Sequence, residues 1–165
     1  MDQSPLPGAM ASLRTNLSNV TSIQLVTLII EAWGLRSQVL PLRYLTTIPE
    51  VPAIGTSAIP VKIPDLFALL TTAFWGPVGL WALTSIFLPL LGAWFFNLRG
   101  GETGYDAVSY NVVKAIGSWI VYVQGGVGGE SRGVVEKGVP GGATGLLIGA
   151  AVGGVAGLYE AVLKK

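Results

Sequence analysis

A single lysine, Lys114, stands in the middle of the apolar stretch AVSYNVVKAIGSWIVYVQ, with Asn111 one turn before it and Ser118 one turn after it. At that spacing the three side chains share one face of a helix. A face of that kind, set in an apolar helix, could line a polar path. The carboxylates Asp65, Glu102, Asp106, Glu130 and Glu136 are candidates for acid–base work, but each sits where a helix cap or a solvated loop is expected. The chain contains no cysteine and no histidine, which excludes disulfides, thiolate nucleophiles, Cys/His zinc sites and histidine triads. The glycine-rich segment GGVGGESRGVVEKGVPGG invites comparison with a phosphate cradle. It lacks the G-x-x-x-x-G-K-[ST] pattern and reads as a polar surface loop. No catalytic set, metal site or cofactor is expected, and a net charge of +1 gives no reason to expect nucleic acid.

The elements that must hold Lys114 are unusually apolar. Hydrophobic residues make up 51% of the chain and charged residues 12%, about half the charged share of an average soluble domain. The run from Leu66 to Leu98 carries no charge at all, and more than about 18 apolar residues in succession predicts a transmembrane helix. Trp75 and Trp94 set its limits. At roughly 1.5 Å per residue they lie about 28 Å apart, close to the hydrocarbon thickness of a bilayer. With Phe74, Phe95 and Phe96 beside them they read as interfacial anchors. The span is placed at 75–97, preceded by a shallow helix over 65–74 that joins it at a Gly76–Pro77 bend. Pro89 is expected to kink the span without ending it, with buried neighbours taking up the freed carbonyl. Asp106 is positioned to cap a second span over 107–124. Val108, Val112, Ile116, Trp119 and Val123 form its apolar stripe and Asn111, Lys114 and Ser118 its polar one. In lipid Lys114 would be costly, so it must face other helices or water, or the helix must lie flat.

The third span, 142–163, places Gly145, Gly149, Gly153 and Gly157 four residues apart. Each interior glycine costs a helix in water roughly 1 kcal/mol relative to alanine. In a bilayer the same ridge lets helix backbones approach closely. This ridge resembles the glycine zippers of the mitochondrial inner-membrane translocase family and, more loosely, the rotor-ring subunit of ATP synthases. The resemblance covers about 20 residues of the chain and implies close helix packing. The rotor subunit's carboxylate lies mid-membrane, whereas Glu160 here lies near the end of the segment. Neither family is assigned.

Residues 1–21 read as a flexible leader. Residues 22–64 read as an amphipathic helix, with Gln24, Thr27 and Glu31 at helical spacing, followed by a proline-rich linker; Glu31 and Arg36 make that helix a poor span. It should lie in the membrane interface or against other helices. Residues 65–165 form the transmembrane part. The fold class is thus an all-α membrane protein, a small bundle of two to three transmembrane helices plus an N-terminal amphipathic helix. With three spans, Arg14, Arg36, Arg43, Lys62, Arg132 and Lys137 fall on one side and Arg99, Lys164 and Lys165 on the other, which places the N-terminus inside. The function expected is that of a small subunit, assembly factor or scaffold, its partners being membrane lipid and other transmembrane helices of the same or another chain. Two alternatives stand beside it: a transport or channel component with a polar path near Lys114, and a membrane enzyme. The host membrane is not legible.

Overall fold

The computed structural model describes residues 19–48, 59–96 and 105–163. The leader therefore lies almost wholly outside the described residues, as do Arg99, Glu102, Lys164 and Lys165. Five helices are present among the described residues: α1 (Val20–Val39), α2 (Thr72–Phe95), α3 (Ala107–Val123), α4 (Gly129–Gly138) and α5 (Gly142–Leu163). A two-stranded antiparallel hairpin, β1 (Leu42–Ile48) with β2 (Ile59–Pro64), and a 3-10 turn over Leu66–Leu70 connect α1 to α2.

Four helices run the length of the molecule in alternating directions. The start of α1 meets the start of α3, where the Gln24 amide reaches the Ala107 carbonyl at 3.5 Å. The same end holds the C-terminus of α2, whose Phe96 carbonyl accepts from the Ser109 hydroxyl at 2.8 Å, and Gly157 of α5, which faces Ala107 and Val108. At the other end Gly34 of α1 packs against Gly138 and Pro140, and Gly76 of α2 against Ser131. That end carries the hairpin and α4. Twenty residues of α1 rise about 30 Å, so this helix traverses the bundle and does not lie across it. Of the two placements expected for it, the one against other helices holds.

Three local expectations are corrected. The stretch read as a linker contains the hairpin, so the chain is mostly helical but not all-α. Thr46, Thr47, Val61 and Ile63 favour extended backbone. Pro60 and Pro64, read as breakers, are tolerated because each strand of a two-stranded ribbon has a free edge. The loop read between the last two spans contains α4. Glu130 in its first turn and Lys137 in its last complement the helix dipole, and Arg132 lies 3.6 Å from Glu136 one turn on. Its glycines supply the bends on either side, with Gly128 at φ 106° and Gly141 at φ 75°. Finally, α2 is unbroken at Gly76–Pro77. The break comes at Thr71, where the 3-10 turn ends and α2 begins.

The freed carbonyl at Pro89 does find a buried partner. Proline lacks the N–H that would bond Ser85 four residues earlier, and the Tyr110 hydroxyl of α3 donates to the Ser85 carbonyl at 2.6 Å. A π turn over Leu83–Phe87 precedes the proline, and a second over Trp119–Val123 ends α3. The Thr84 and Tyr122 hydroxyls, 3.1 Å apart, join the two turns.

Polarity is distributed inside out. The compact apolar cluster (Leu35, Val39, Trp81, Tyr122, Val135, Val139 and Leu146) sits toward the α4 end. From mid-bundle to the opposite end the buried polar side chains are Gln24, Glu31, Thr84, Ser85, Asp106, Ser109, Asn111, Lys114 and Ser118, set among the buried Val20, Ala93, Ala107 and Tyr110. On α1 the exposed large apolar residues are Leu25, Val26, Ile29, Ile30 and Trp33; toward its ends Thr21, Arg36, Ser37 and Gln38 are exposed as well. Gln24 and Glu31 of this helix turn inward, with Thr27 half-buried between them. Helices α2 and α5 are long and apolar enough to cross a membrane, and α3 is a shorter apolar helix.

Candidate functional site: a buried ion pair on a glycine floor

Asp106 caps α3 as its position predicts, its carboxylate accepting from the Val108 and Ser109 amides at 3.3 and 3.1 Å. From that cap α3 turns Ala107, Asn111, Lys114, Ser118 and Tyr122 inward, while Val112, Ile116, Trp119 and Val123 stay exposed. The predicted polar stripe is therefore one continuous inner face.

Lys114 meets Glu31 of α1. Nζ lies 2.7 Å from Oε1, and the two side chains are 2% and 4% exposed. The second carboxylate oxygen accepts from the Trp81 indole of α2 at 3.1 Å. One carboxylate thus ties α1, α2 and α3 together in the middle of the bundle. Burying a lone charge costs several kcal/mol, and a partner with good geometry offsets much of that cost. Glu31 was read from sequence only as a reason why α1 should not span; its role as the partner of Lys114 was missed. The signal available was that α1 holds a single acid and α3 a single base, each toward the middle of its helix.

Helix α5 closes this layer with the ridge. A methyl carbon added at Gly149 would stand 2.6 Å from Thr27 Cγ2 and 3.2 Å from Glu31 Oε1. One added at Gly153 would stand 2.4 Å from Asn111 Oδ1, and at Gly157 3.3 Å from Val108. Gly145 approaches the Pro140 carbonyl at the turn into α5. The two groups singled out separately, the glycines and the polar stripe, are thereby brought together. Absence of Cβ on α5 makes room for the carboxylate of α1 and the amide of α3. The close-approach surface is used inside this chain.

Asn111 is held by its own amide donating to the Ala107 carbonyl at 2.7 Å. Tyr105 donates to Gln24, and burial raises its phenol above the ordinary tyrosine pKa. Among the described residues the hydroxyls of Ser85 and Ser118 are buried without a hydrogen-bond partner. Trp75 and Trp94, expected as interfacial anchors, are both exposed, at 60% and 67%. Each makes an edge-on ring contact with its neighbour, Trp75 with Phe74 and Trp94 with Phe95. The Trp75 indole donates to the Leu69 carbonyl at 2.9 Å.

A second surface feature lies on the outside. Between the start of α1 and the second half of α5, Val20, Ile23, Ala151, Val155 and Ala156 line a mostly apolar groove of about 810 Å³, with Glu160 also in its lining. Compared with protein-family models, with curated proteins and with solved structures, the chain matches none of them.

Proposed function

We propose that this chain is an integral membrane protein that serves as a small structural subunit or scaffold of a membrane complex. The observation that carries the membrane reading is the inverted polarity: ionised and amide side chains inside, leucine, isoleucine, valine and tryptophan outside. Only 33% and 22% of the most apolar stretches of α2 and α5 are buried within the fold. Core helices of a water-soluble protein would be mostly covered. Lipid is as apolar as leucine, so such a surface is at home in a bilayer while polar groups gather inside.

The scaffold reading is supported by the groove between α1 and α5. Its alanines permit close approach of a further transmembrane helix, the packing mode that small residues serve in membranes. Since the glycine ridge is occupied internally, association falls to this groove. Alkaline carbonate extraction should leave the protein in the membrane pellet, and mild-detergent solubilisation should yield a discrete assembly larger than the monomer. Quantitative release by carbonate overturns the membrane reading. A monodisperse monomer, with no crosslinked neighbour in native membranes, overturns the scaffold reading alone.

A transport role is the second reading, favoured by one feature. The unpartnered Ser85 and Ser118 hydroxyls share the interior with Lys114, and buried polar groups without partners are where internal water is expected. Flux of protons or small solutes through liposomes holding the purified protein alone would favour it over the scaffold.

A further inference from the structure

The hairpin end poses a question that the bundle does not answer. A two-stranded ribbon alone is at best marginally stable in water, and this one exposes apolar side chains: Leu42, Tyr44 and Leu45 on β1 and Ile63 on β2. The 3-10 turn that follows exposes Leu66, Phe67 and Leu70, the last at 85%. Between ribbon and turn lies a cavity of about 410 Å³ whose lining includes Arg43, Tyr44, Ile63, Leu66 and Phe67. Two cations sit on the ribbon: Arg43 lines the cavity, and Lys62 lies on the opposite face. Arg43 pairs in register with Ile63, and Tyr44 with Lys62. Among the described residues neither Arg43 nor Lys62 forms an ion pair. Asp65, also at the cavity, has its carboxylate engaged as the cap of the turn, accepting from the Phe67 amide at 3.1 Å.

We propose that the hairpin and the 3-10 turn form a docking surface for anionic phospholipid: Arg43 takes the headgroup phosphate, Leu66, Phe67 and Ile63 take the upper acyl chains, and Lys62, on the ribbon's other face, adds to the positive charge that meets the leaflet. This rests on the membrane reading given above. Two observations select lipid as the occupant. The patch is continuous with the exposed flank of α2 through Trp75, whose indole is bonded to the turn at Leu69; a ring so placed marks headgroup depth. The charge at that depth is positive, complementary to an anionic leaflet and to phosphate.

The test is reconstitution of the full chain in nanodiscs of phosphatidylcholine alone and of phosphatidylcholine with phosphatidylserine at about three to one. Ligand that binds only the folded state raises the unfolding midpoint. Wild type should unfold several degrees higher in the anionic discs, and Arg43→Gln/Lys62→Gln should lose most of that difference. Lys137→Gln, on α4 at the same end, should keep it. An equal gain in the double variant and wild type overturns the proposal, as does its full loss in Lys137→Gln. Where the double variant fails to insert, salt decides. Molar KCl should remove the wild-type gain, and a gain that persists in salt overturns the site. A protein dimer that depends on Arg43 and Lys62 would assign the surface to a second copy and overturn it equally. Failure of wild type to enter either disc would instead sink the membrane reading itself.

Discussion

At the scale of single residues the decisive group is Lys114. Its sequence context already called for other helices, water or a flat-lying helix, because an amine in an apolar helix cannot face lipid cheaply. The identity of that neighbour was not readable, since Glu31 lies 83 residues away and no local pattern joins them. The structure makes the pair a clasp closed by Trp81, and its energetics follow from burial. Removing one partner leaves an uncompensated buried charge, at a cost of about 3–5 kcal/mol. Lys114→Met and Glu31→Gln should each destabilise the bundle by that order in mixed-micelle unfolding. The double variant Glu31→Gln/Lys114→Met should regain most of the loss, because neither charge of the pair then remains buried. Losses that simply add in the double variant would show that the two side chains do not touch.

At the scale of elements the helices with long uncharged runs were legible and the short ones were not. Helices α2 and α5 follow from hydropathy, and the inward face of α3 from the spacing of Asn111, Lys114 and Ser118. The hairpin and α4 were hidden by composition. Proline obscured strands that have free edges, and glycine obscured a helix whose bends need positive φ. The ridge was recognised as a packing surface, but which helices it meets depends on tertiary arrangement. That arrangement separates neighbouring glycines. Gly153→Ala should destabilise by about 1–3 kcal/mol, because its methyl meets the fixed Asn111 amide at 2.4 Å. Gly154→Ala has its nearest new contact at 3.7 Å, an ordinary separation, and should be neutral or gain up to about 1 kcal/mol of helix propensity. Gly34→Ala should be the more damaging, since its methyl would stand 2.5 Å from the Gly138 carbonyl, backbone that cannot rotate away. Circular dichroism of all three should remain helical while the unfolding midpoints diverge. If Gly153→Ala and Gly154→Ala unfold alike, α5 does not present the ridge to α3.

At the scale of the whole molecule, α1 changes the topology. Three spans would place the beginning of α1 on the same side as Arg36, Arg43 and Lys62. A helix that runs the full bundle places its start at the opposite end. The hairpin end then holds Arg36, Arg43, Lys62, Arg132 and Lys137; on the membrane reading proposed above, these cations would make it the inner side. The chain has no native cysteine, so single cysteines report cleanly. Thr21→Cys and Ser37→Cys, both exposed and at opposite ends of α1, should label with a membrane-impermeant maleimide from opposite faces of a sealed vesicle. Labelling from one face would return α1 to the interface. The central claim, an apolar exterior in lipid around a polar interior, is tested most directly by nitroxide accessibility in lipid vesicles at Ile29, Phe87, Ile116 and Ile148. These residues occupy one outward position on each long helix and are 54–64% exposed. All four should be relaxed by oxygen, which concentrates in the hydrocarbon, and shielded from a water-soluble nickel chelate; ready access of the chelate to these sites would contradict the account.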